Sequence, residues 1–304
     1  MHMFQGTGVA VITPFNASHQ VDREALQRLI AYLIDDEVDY LVILGTTGET
    51  ATLSDAEQHQ VIEWALEAAA GRVPVVLGAS GNHTLAVAAR IEDWSHRYQP
   101  AGLLSASPYY NKPNQEGIYQ HYKALAASTD LPLILYNVPG RTASNVSADT
   151  TLRLAHDFGH IVAIKEASGN LEQCMNILRH APAGFALLSG DDALSLPLIS
   201  LGALGTISVT ANAFPGAFAR MVRLALAGDY AQARALHYRL LPFIDLNFRE
   251  GNPAGVKALL QALHLCSDQV RLPLVPASAS LHKAIERALN EAPVSRMATQ
   301  PGKG

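Results

Sequence analysis

The sequence has little cysteine, little charge and no long apolar run. Its two cysteines, Cys174 and Cys266, show no C-x-x-C spacing. That excludes a disulfide framework or a thiolate zinc site and predicts two reduced, partly buried thiols in a reducing cytosol. Charged residues make up 16% of the 304 positions, the formal net charge is -5, and no Lys/Arg run occurs. Neither a nucleic acid nor an anionic membrane is expected as a partner. No apolar run approaches the about 18 residues that cross a bilayer. The stretch MHMFQGTGVA lacks a basic segment ahead of an apolar core, so no secretory signal is expected and the location is read as cytoplasmic. The histidines are scattered without H-E-x-x-H spacing, so no metal is expected. Neither a Walker A loop nor a G-x-G-x-x-G after the first strand occurs, so no nucleotide cofactor is expected either.

What is present is a regular alternation. Near-continuous apolar runs at 9–13, 40–44, 73–77, 102–105, 133–136, 161–165, 186–189 and 206–209 predict parallel strands buried on both faces. Amphipathic stretches at 23–36, 55–70, 84–98, 116–128, 148–156, 171–179 and 193–200 predict the helices between them. Ser54 and Glu57 form a capping-box pattern, and Pro215 marks the start of an eighth helix. Eight such units predict an α/β fold, a (β/α)8 TIM barrel over 1–228. Helical segments at 230–241, 253–263 and 280–289 predict a C-terminal helical extension over 229–291, followed by a flexible tail at 292–304.

In such barrels chemistry sits at the C-terminal strand ends. Lys165 alone among the lysines ends an apolar strand. Desolvation there disfavours an ammonium, and a neutral amine attacks carbonyl carbon. A lysine paired with Glu166 or a nearby aspartate is the alternative from position alone. Tyr136 ends the neighbouring strand, where its phenol can move protons with Thr46 and Tyr110 as links. The competing role is a core aromatic tied to backbone. Gly45-Thr46-Thr47-Gly48 offers close backbone approach and two hydroxyls for a carboxylate, or is an ordinary turn. Arg141 offers a planar fork for a second carboxylate, or is a surface arginine paired with an acid. Asp191 and Asp192 read as helix caps rather than metal ligands.

With these residues in place, the chain resembles the dihydrodipicolinate synthase family, within the N-acetylneuraminate lyase superfamily of class I aldolases. The motifs are GTTGE at 45–49, SPYYNKP at 107–113, LYNVPGRT at 135–142, IKEASGN at 164–170, LSGDD at 188–192 and GTISVTAN at 205–212. The resemblance spans roughly Gly6 to Leu289 and implies a lyase that condenses pyruvate with aspartate semialdehyde. The product would be 4-hydroxy-tetrahydrodipicolinate, a step towards diaminopimelate and lysine. It implies an imine on Lys165 and a proton relay of Tyr136, Thr46 and Tyr110. Thr47 would hold the pyruvate carboxylate, Arg141 the aldehyde's carboxylate, and the backbone at Gly190 and Ile207 would shape the pocket. The family's usual assembly is a homotetramer of tight dimers, with Tyr110 reaching into a neighbouring subunit.

Related aldolases or dehydratases that act on sugar acids or other aldehydes share the lysine and the tyrosine. Arg141 favours the synthase, because sialic acid lyases lack arginine there. A catalytically dead barrel would have no use for the four catalytic side chains together. Lysine-inhibited members bind lysine at the dimer interface, beside the Tyr109-Tyr110 pair. This chain keeps Asn82 and Tyr109 but carries Ala86 in place of a glutamate, and Asp55 and Gln58 in place of histidines. The resemblance therefore implies weak or absent inhibition by lysine.

Overall fold

The computed structural model describes residues 2–291. Its eight strands are β1 (Gly6–Ala10), β2 (Tyr40–Ile43), β3 (Val75–Gly78), β4 (Gly102–Ala106), β5 (Leu133–Asn137), β6 (Ile161–Glu166), β7 (Ala186–Ser189) and β8 (Gly205–Ser208). They pair in parallel in chain order, and β1 pairs with β8 to close the barrel. Closure depends on two glycines facing across that seam. A Cβ on Gly205 would lie 2.0 Å from the Gly6 carbonyl oxygen.

Alternation along each strand sorts side chains into two cores. Tyr40, Val42, Ile134, Tyr136 and Ala163 turn into the barrel, while Leu41, Ile43, Leu133, Leu135 and Ile164 face the helices. The same period puts Lys165 on the inner side with Ala163. Tyr40 fits because Gly8 opposes it: a Cβ there would lie 2.2 Å from its ring.

The helices are α1 (Arg23–Asp35), α2 (Asp55–Ala69), α3 (Thr84–Tyr98), α4 (Gln115–Ala126), α5 (Pro139–Thr142), α6 (Ala148–Asp157), α7 (Leu171–His180), α8 (Ser195–Ser200), α9 (Pro215–Leu226), α10 (Tyr230–Arg249), α11 (Ala254–Ala262) and α12 (Ala279–Glu291). Ser54 and Glu57 form the expected capping box at α2, and Pro215 opens α9. The chain after α9 folds as α10–α12, with α10 packed on α8 and α9. Among the described residues no helix is long and apolar enough to cross a membrane. The tail expected at 292–304 lies outside the described residues.

Three local expectations need correction. The first strand runs Gly6–Ala10, not 9–13, because Gly6-Thr7-Gly8 is not an apolar run although its glycines are what the seam and Tyr40 require. The helix expected to end at 241 continues to Arg249 through Pro242. Pro242 lies on the exposed face, where water can take the carbonyl it cannot serve. The Pro139-Gly140 pair before Arg141 predicts a loop, yet Pro139 opens the single turn α5.

Candidate active site

Tyr136 of β5 and Lys165 of β6 are register partners. Lys165 is 5% exposed, and its Nζ lies 4.3 Å from the centroid of the Tyr136 ring. Lys165 makes no ion pair among the described residues. Glu166 turns to the other side, where it accepts from Asn137 Nδ2 at 3.0 and 3.1 Å, Gln173 Nε2 at 2.9 Å and the Ser168 amide at 2.8 Å. The lysine–glutamate pair that position alone allowed is therefore not formed. The Tyr136 hydroxyl likewise has no hydrogen-bond partner among the described residues, so it is not tied to backbone.

Two neighbours shape the space around the lysine. A Cβ on Gly190 would come within 2.9 Å of Lys165 Cε and 2.8 Å of Ala167 Cβ, so glycine leaves room for the lysine stem. Ile207 belongs to the same inner cluster as Tyr136.

The loop after β2 forms a 3-10 turn at Thr46–Gly48. Thr46 is exposed, whereas Thr47 is buried and accepts a 2.9 Å hydrogen bond from Asn252 Nδ2. Glu49 follows in the left-handed region at φ 54. Its buried carboxylate meets Lys257 Nζ at 2.5 Å and the Arg271 amide at 3.0 Å. Lys257 is thus buried more deeply than Lys165, but inside an ion pair.

A cavity of about 660 Å³ opens at this end of the barrel. Its lining includes Thr46, Ala106, Val138 and Arg141, and also Asn82, Ala86 and Tyr109. Ala106 is the register partner of Tyr136, so the cavity meets the inner cluster there. Arg141 is exposed and makes no ion pair among the described residues. Tyr110 stands apart: it is 85% exposed, held at φ 72, and does not line the cavity.

Asp191 caps the turn that follows it, accepting from the Ala193 amide at 2.9 Å. Asp192 does something else: its buried carboxylate accepts from the Thr210 and Val209 amides at 2.7 and 3.2 Å. Burial raises its pKa, and hydrogen bonding from the Thr210 hydroxyl and amide and from Ser208 opposes the rise. Among the described residues no group of three or more His, Cys, Asp or Glu side chains could hold a metal ion. Both cysteines are free thiols whose pKa burial raises to about 12.

Residues 3–292 match the sequence profile of the dihydrodipicolinate synthetase family. The chain belongs to that family. It is 50% identical to a 4-hydroxy-tetrahydrodipicolinate synthase from Phocaeicola vulgatus over 94% of this chain and 96% of the relative. The solved dihydrodipicolinate synthase of Aquifex aeolicus superposes with a TM-score of 0.92 at 40% identity, covering 96% of this chain and 99% of that one. The enzyme from Cyanidioschyzon merolae, solved with lysine bound, gives 0.93 at 37% identity over 97% of this chain and 100% of that one.

Within this member of the dihydrodipicolinate synthetase family, Asn252 and Lys257 carry no sequence signal that marks them as site residues. Asn252 stands 205 positions from Thr47 and precedes a proline, which reads as nothing more than a turn. Lys257 lies in a helical pattern that promises a solvated lysine. Only the folded chain shows that α11 turns it inward.

Proposed function

We propose that this chain condenses pyruvate with aspartate semialdehyde to 4-hydroxy-tetrahydrodipicolinate, a lyase step in the biosynthesis of diaminopimelate and lysine. The observation that carries the reading is an inner-facing lysine that has no carboxylate partner among the described residues, in register with a tyrosine whose hydroxyl none of them engages. Lys165 Nζ attacks the keto carbon of pyruvate, and the carbinolamine expels water to leave an imine. Loss of a methyl proton gives the enamine, whose carbon attacks the aldehyde. The semialdehyde's own amine then displaces Lys165 from the imine carbon and closes the ring. Overall, one water is released and the lysine is regenerated.

Tyr136 moves the protons of these steps, with Thr46 and the Tyr110 of a neighbouring subunit completing the relay. Thr47 holds the keto-acid carboxylate. Arg141, at the cavity wall and without an ion pair among the described residues, holds that of the aldehyde. Gly190 and Ile207 bound the pocket. The exposure of Tyr110 supports a shared site in a homotetramer of tight dimers, and the unpaired thiols support a cytoplasmic location. Residues 1–228 act as the barrel and 229–291 as the extension that braces its mouth.

Borohydride reduction in the presence of pyruvate tests the chemistry. One covalent adduct is expected, on Lys165, and Lys165→Ala should stay folded with nearly all activity gone. An adduct mapped to another lysine, or no adduct, overturns the mechanism. Steady-state rates across several aldehydes then test the acceptor.

A further inference from the structure

Thr47 does not hold its hydroxyl alone. A hydroxyl has one proton and two lone pairs, and its rotor follows its partners. Asn252 Nδ2 donates to Thr47 Oγ1 at 2.9 Å, which occupies a lone pair and sends the proton elsewhere. Thr47 is 3% exposed, so water does not compete for that choice.

We propose that Asn252 is a positioning residue for the keto acid, setting the Thr47 hydroxyl so that its proton faces the substrate carboxylate. The inference rests on the reading of Thr47 as the carboxylate contact. Two further observations support it. Asn252 Oδ1 is buried with no hydrogen-bond partner among the described residues, so the amide's orientation is not fixed by a second contact of its own. The segment bearing Asn252 is also tied a second time to the turn bearing Thr47: Lys257 Nζ and the Arg271 amide both bind the Glu49 carboxylate. Amide and hydroxyl therefore meet in a fixed geometry.

The test uses the full-length enzyme and the variants Thr47→Val, Asn252→Ala, Asn252→Asp and Thr47→Val/Asn252→Ala. The readouts are the pyruvate half-saturation of borohydride trapping and the KM for each substrate. Thr47→Val should raise the pyruvate constants by about tenfold, the upper range for one hydrogen bond. Asn252→Ala should raise them about threefold to tenfold and leave the semialdehyde KM unchanged. On the Thr47→Val background it should add less than about twofold, because its partner is gone. Asn252→Asp is nearly isosteric, yet its carboxylate would draw the Thr47 proton towards itself. It should therefore impair pyruvate binding more than Asn252→Ala does. If Asn252→Ala does not fold, Asn252→Asp decides, and an unchanged pyruvate constant overturns the proposal. If Thr47→Val has the expected effect but Asn252→Ala raises both KM values alike, or adds its full effect to Thr47→Val, the proposal falls while the carboxylate reading stands. If Thr47→Val changes nothing, the carboxylate reading falls and takes the proposal with it.

Discussion

Tyr136 places its ring 4.3 Å from Lys165 Nζ, across the pairing of β5 with β6, while its own hydroxyl bonds to none of the described residues. Ring and hydroxyl thus have separable roles. Tyr136→Phe keeps the surface against which the lysine packs and removes only the proton carrier. Its kcat should fall at least about a hundredfold, while pyruvate still forms a reducible adduct on Lys165. A kcat within tenfold of the parent would rule out the proton-transfer role.

The role proposed for Arg141 is to bind the second substrate. Arg141→Ala should lower kcat/KM for aspartate semialdehyde about tenfold or more and spare adduct formation with pyruvate. Unchanged semialdehyde kinetics would mean that this guanidinium does not bind the acceptor.

The exposed Tyr110 should act in a neighbour's site. Tyr110→Phe should lower activity without emptying the pyruvate pocket. Mixing inactive Lys165→Ala subunits with Tyr110→Phe subunits should restore part of the rate, because some sites regain both groups. Absence of recovery, with subunit exchange demonstrated by native mass spectrometry, counts against a shared site.

Free lysine should inhibit weakly or not at all. Ala86 lines the cavity beside Asn82 and Tyr109 and offers no charge to an ammonium. Glu49 is already held by Lys257, and Asp55 is exposed, 4.0 Å from Arg90. The missing charge-assisted bond is worth on the order of 1.5–3 kcal/mol, or about ten- to hundredfold in affinity. Titration of lysine against the steady-state rate checks this, and half-inhibition below about a millimolar would show that other groups suffice.

Glu57 fastens the extension to α2. Its hydrogen bonds with Arg271 lower its pKa from 4.5 to about 2. A carboxyl whose folded pKa is depressed stabilises the fold above its unfolded pKa and loses that contribution as pH falls towards the folded one. Glu57→Gln should therefore lower Tm at neutral pH, with the difference from the parent shrinking between about pH 4.5 and 2. A constant Tm difference over that range would show that the ion pair contributes nothing.

The barrel was legible because strands buried on both faces must be apolar throughout, a signal that survives in single runs such as 133–136. The β1 error shows the limit of that rule. Gly6 and Gly8 serve neighbours, the β8 backbone and the Tyr40 ring, and what a glycine makes room for is not written beside it. Lys165 was legible for the converse reason, as one cation closing an apolar strand. Asn252 was not, because a bond across 205 positions leaves no local pattern at either end.

That same separation orders events in time. Chains emerge from synthesis at about 5–20 residues per second, so Asn252 follows Thr47 by about 10–40 s. Lys165 and Tyr136 are both made before Asn252. A nascent chain can thus carry Lys165 while the amide proposed to orient Thr47 is still unmade. A chain that stops before Asn252 carries Lys165 but lacks the Asn252, Lys257 and Arg271 contacts to the turn after β2. On the proposed role of Asn252, the contact that orients the keto acid is thus among the last the growing chain can make.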